Sequence, residues 1–111
     1  MIDIVAVDGV NLEDFDVCMK LVQGVEGSAL FEQMAEEATE LAHACLKMAR
    51  IGRGDNPTPV TRMDAMQHIL EELSDLTLVC EVIGLAPDRK IQVDKLKRWA
   101  ERLQGVKGKN D

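Results

Sequence analysis

Two stretches of the chain combine a helix-period apolar stripe with carboxylates at the stripe's border, and few folds accommodate both. In the first, Leu30, Met34, Ala38, Leu41, Cys45 and Met48 line up on one helix face at about 100° per residue. Glu37 falls about 60° from the centre of that stripe and Glu40 about 120°, while Glu36 points to the far side. In the second, Ile69, Leu73, Leu76, Cys80 and Ile83 make the stripe, with Glu72 about 60° and Asp75 about 120° from its centre and Glu71 facing away. Buried charge is costly unless it is paired or binds a metal. No Lys or Arg lies between Glu37 and Glu40 or between Glu72 and Asp75. Each helix offers a carboxylate pair at i and i+3, neighbours on a helix surface. Packing the stripes together brings all four to one seam, and four oxygen donors suit a hard cation such as Mg²⁺ or Mn²⁺.

A chain of 111 residues makes one domain with one core, so residues 1–111 are read as a single unit. With 46% hydrophobic but only 3% aromatic residues and no Tyr, that core is built from aliphatic side chains and Met, which favours packed helices. The expected fold is all-α, a bundle of about four helices dominated by the two long acidic ones. A net charge of −7 argues against a nucleic-acid polymer as partner, because displacing counterions from phosphates takes clustered cations. Three cysteines, Cys18, Cys45 and Cys80, without CxxC spacing read as reduced core thiols. His43 and His68 fall opposite their stripes and read as surface residues before metal ligands. No signal peptide or membrane span is visible, which makes the cytoplasm the expected location.

In chain order, residues 1–10 read as a short arm without chemistry. Asn11 is the expected N-cap of a helix ending near Gln23 at Gly24. Ser28 is the expected cap of the first acidic helix, which should end near Ile51 with Arg50 and Arg53 at its negative pole. The segment 52–60 is a connection or a lid. Thr61 with Asp64, or else Thr58 before Pro59, starts the second acidic helix, which runs to about Ile83. Asp88 caps a last helix reaching about Leu103, and the tail 105–111 is expected to fray. On that last helix Val93, Leu96, Trp99, Ala100 and Leu103 form the stripe, with Trp99 expected in the core. Lys95 and Arg102 sit on its flank and are either solvated or available to phosphate.

Glu36-Glu37-x-x-Glu40 followed by Glu72-x-x-Asp75 resembles the EExxE and ExxD motifs of the MazG-like all-α nucleoside triphosphate pyrophosphohydrolases. The resemblance spans about residues 28 to 103 and includes the connecting segment from Arg53 to Pro59. It implies an enzyme that cleaves a (d)NTP to the monophosphate and pyrophosphate with Mg²⁺, which Mn²⁺ can replace, held by Glu37, Glu40, Glu72 and Asp75. Glu36 is the candidate to orient or deprotonate the water, although the residues leave the choice of base open. The resemblance also assigns Lys95 to the substrate phosphates, and wheel geometry adds Arg102. Phosphoribosyl-ATP pyrophosphohydrolase is the alternative within that class, and a non-catalytic helical interaction module is the alternative outside it. Apolar residues beyond the main stripes, Phe31, Leu46, Leu78, Val79 and Val82, call for burial on a second side and predict a homodimer or homotetramer.

Overall fold

The computed structural model describes residues 11–54 and 60–110, and all regular structure among them is helical. Four helices follow in order: α1 (Leu12–Gln23), α2 (Gly27–Arg53), α3 (Arg62–Ile83) and α4 (Arg89–Asn110). The readings of residues 1–10 and of the Thr58–Pro59 start fall outside the described residues.

Short-range hydrogen bonds set most of the boundaries. Asn11 accepts from the Glu13 amide at 3.0 Å, Thr61 from the Asp64 amide at 3.1 Å and Asp88 from the Ile91 amide at 3.1 Å, as capping chemistry predicts. The start of α2 departs from expectation. Glu26, not Ser28, is the cap, because its carboxylate takes the Ser28 amide at 3.1 Å and Gly27 lets the helix begin earlier. At the other end α2 continues past Ile51 to Arg53. Gly52 keeps a helical backbone, and the stop comes at Gly54, whose φ of 74° belongs to the left-handed cap conformation. Gly84, at φ 90°, ends α3 in the same way. The last helix runs on to Asn110 instead of stopping near Leu103. Gly105 weakens a helix without breaking it, and no proline interrupts the segment.

The framework is the α2/α3 hairpin, on whose α3 side α1 also packs. The stripe drawn from the sequence is largely borne out, since Leu30, Met34, Leu41 and Met48 on α2 and Ile69, Leu76, Cys80 and Ile83 on α3 are half-buried, whereas Ala38, Cys45 and Leu73 are exposed. Ala44 and Ala65, each 2% exposed, are the most buried positions of the two helices, where a small side chain lets packed helices approach closely. Counting by sevens from these alanines gives Leu30, Glu37, Ala44 and Ile51 on α2 and Ala65, Glu72 and Val79 on α3. Seven residues are almost two helical turns, so each set forms one seam. Glu37 and Glu72 therefore stand on the seam itself, closer to its centre than their expected border positions.

Beside the seam, Phe15, Cys18, Met19 and Val22 of α1 face Leu30, Leu78, Val79 and Val82 across an apolar groove of about 250 Å³. Val82 is the third buried residue. The thiols of Cys18 and Cys45 are exposed and that of Cys80 half-buried, so the three cysteines are free but are not core residues. Helix α4 packs on no other helix among the described residues. Trp99, expected in the core, is 60% exposed for that reason, together with Leu96 and Leu103. No helix of the described residues is long and apolar enough to cross a membrane.

Candidate metal centre

The seam positions of Glu37 and Glu72 bring their i+3 neighbours Glu40 and Asp75 to the same place. One oxygen from each of Glu37, Glu40, Glu72 and Asp75 falls within 4.8 Å of the others. Glu37 and Glu72 are the half-buried members and Glu40 and Asp75 the exposed ones, as expected for carboxylates on and beside a seam.

Four like charges at this distance oppose one another, and the structure shows how the opposition is relieved. Glu72, through a shared hydrogen bond and its negative charge, holds the Glu40 carboxyl above the ordinary carboxylate range. Desolvation and the charge of Asp75 push the same way, and a hydrogen bond with Glu37 works against them. Relief by a cation of the chain itself is limited. The ion pairs among the described residues are His68 with Glu72 and the exposed Lys90 with Asp94, and no Lys or Arg pairs with the four carboxylates.

Two neighbours touch the cluster, Gln33, to which the sequence reading gives no role, and His68, which it reads as a surface residue. Gln33 Nε2 donates to Glu37 Oε1 at 2.6 Å, and His68 Nε2 lies 3.1 Å from Glu72 Oε1. His68 is exposed, as expected of a surface residue, and its ring also reaches an inner carboxylate. The signal was present in both cases, since each donor precedes its carboxylate by four residues, one helical turn. The second oxygen of each, Glu37 Oε2 and Glu72 Oε2, is buried and has no hydrogen-bond partner. Buried, unpartnered carboxylate oxygens are costly. An all-oxygen donor set with two such atoms fits a hard divalent cation, whose charge would satisfy them.

The other residues singled out in the sequence are placed elsewhere. Glu36 is exposed and stays outside the four, although it shares with Ala35, Thr39 and Glu40 a shallow open depression on the solvent side of α2. Lys95 and Arg102 lie with Arg98 around Leu96 and Trp99 on α4, and within one chain that helix does not reach the carboxylates. Arg50 and Arg53 are exposed at the end of α2, next to the segment outside the described residues. Comparison with protein-family models, curated proteins and solved structures finds no match, so the motif residues and their convergence stand as the basis for assigning a function.

Proposed function

We propose that the chain is a divalent-metal-dependent nucleoside triphosphate pyrophosphohydrolase of the MazG-like kind, releasing pyrophosphate from a (d)NTP. The observation that carries this reading is the convergence of Glu37, Glu40, Glu72 and Asp75 with two buried carboxylate oxygens left unpartnered. In the reaction a water oxygen bonds to the α-phosphorus, the bond to the bridging oxygen breaks, and pyrophosphate leaves with that electron pair. Bound Mg²⁺ supplies charge neutralisation for the phosphates and polarises the reacting groups. The chain supplies the ligand set and a carboxylate to take the water's proton. Glu36 is the candidate for that task, standing one turn before Glu40 and bordering the same depression.

The phosphate contacts require a second copy of the chain. Lys95 and Arg102 are carried by a helix with an exposed apolar face and no helix packed on it among the described residues, and a homodimer or homotetramer would dock that face and bring its cations toward an acidic seam. The unpacked α4 also favours a second reading, a helical interaction module without catalysis. That reading accounts for the apolar faces and leaves the four converging carboxylates without a role.

Pyrophosphate release from a panel of (d)NTPs tests the assignment. Activity with Mg²⁺ or Mn²⁺, abolished by EDTA, is expected, and Glu72→Gln or Asp75→Asn should reduce turnover by at least about 100-fold with helicity unchanged. Full activity in chelator, or no release from any nucleotide, would overturn it.

A further inference from the structure

Resting on the metal-binding reading, we infer that Gln33 and His68 are a matched pair of positioning residues that aim one oxygen each of Glu37 and Glu72 into the site. Both carboxylates stand on the α2/α3 seam, and both are held at Oε1 by a nitrogen from one turn earlier, at 2.6 Å and 3.1 Å. Both leave Oε2 buried and unpartnered. A carboxylate accepts only, so the His68 nitrogen at this contact carries the proton and donates, as the Gln33 amide does. Fixing one oxygen of a glutamate fixes where the other points and opposes the repulsion that would swing the inner carboxylates apart.

The outer pair is built the other way. The residues one turn before Glu40 and Asp75 are Glu36 and Glu71, which are acceptors and cannot anchor a carboxylate. The site therefore has two half-buried ligands held from the preceding turn and two exposed ones, Glu40 and Asp75, without such a donor. This division would let a cation approach from the exposed outer carboxylates and meet preset inner oxygens. Residues that hold metal ligands typically change affinity by about 10- to 100-fold when removed.

Mn²⁺ titration of the purified protein at one fixed pH, followed by calorimetry or by the spectrum of free Mn²⁺, tests the inference without reference to turnover. Gln33→Leu and His68→Leu are each expected to weaken Mn²⁺ binding by about 10- to 100-fold, with the helical circular dichroism unchanged. His68→Gln restores a terminal N–H and should recover binding to within about threefold of the parent. Leucine variants that bind like the parent, or a glutamine variant as weak as the leucine one, would overturn the positioning role while leaving the metal site standing. A parent protein that takes up no Mn²⁺ would remove the metal reading and this one with it.

Discussion

Glu40 makes the strain of the site measurable. Because Glu72 and Asp75 raise its pKa in the folded chain, the folded state holds the proton more tightly than the unfolded state does. The resulting stabilisation is fully present below the ordinary carboxylate value and is lost as pH rises through the raised one. The metal-free protein should accordingly show a falling Tm as pH climbs out of the carboxylate range, and Mg²⁺ should reverse the fall at neutral pH. Glu40→Gln should flatten it and melt above the parent in EDTA. Thermal melts at stepped pH would check this, and a Tm independent of pH in EDTA would contradict it. Glu26 has the opposite sign. Its hydrogen bonds with Ser28 lower its pKa, so its contribution is present above the ordinary value and disappears as pH falls through the lowered one. The two effects occupy different pH windows and are separable in one titration.

Among the helices, glycines divide into those that end a helix and those that a helix merely tolerates. Gly84 has φ 90°, and a Cβ added there meets no atom within 4 Å, so replacement acts through the backbone alone. Gly84→Ala should cost about 1–2 kcal/mol. Gly52 has helical backbone within α2, and an added Cβ would make ordinary contact with Arg62 Nη2 at 3.9 Å. Gly52→Ala should stabilise by about 0.5–1 kcal/mol. Urea denaturation of the two variants beside the parent would test the pair, and equal signs would mean that one of the two backbone assignments is wrong. The contrast shows why the sequence expectation of a helix end at Ile51 was early. A glycine permits a stop, but the stop falls where the left-handed turn forms.

At the scale of the whole molecule, a single chain is open. It exposes 9208 Å², against about 6100 Å² expected from size scaling of folded monomers. Its radius of gyration is 18.7 Å, against about 13 Å for a compact chain of this length. The apolar exposure is concentrated on α4 and on the outer faces of the hairpin, at Phe31, Leu46, Leu78, Leu96, Trp99 and Leu103. An excess of this size matches the area that obligate homo-oligomers bury. Size exclusion with light scattering should give a mass of at least a dimer. Trp99→Ala should shift that mass toward monomer while leaving the helicity of the chain intact, since α4 packs on no other helix among the described residues. A stable monomer at high concentration would refute the assembly.

Much of this architecture is local in origin and therefore readable from residue order. The caps at Asn11, Thr61 and Asp88 are bonds across two or three residues, and the helix-period stripes identified α2 and α3 with their four carboxylates. The bonds from Gln33 and His68 are equally local, each spanning four residues, but a stripe drawn from apolar residues does not display them. Other features depend on which faces meet, and there the wheel misled. An aliphatic stripe limits the contact line only to a broad arc, and Ala44 and Ala65 are buried deepest within it, in the same seven-residue register as Glu37 and Glu72. Trp99 lies on as clear a stripe as any, yet α4 packs on no other helix among the described residues. Periodicity reports that a face seeks burial. Its partner is set by long-range packing, which spacing along one helix does not encode.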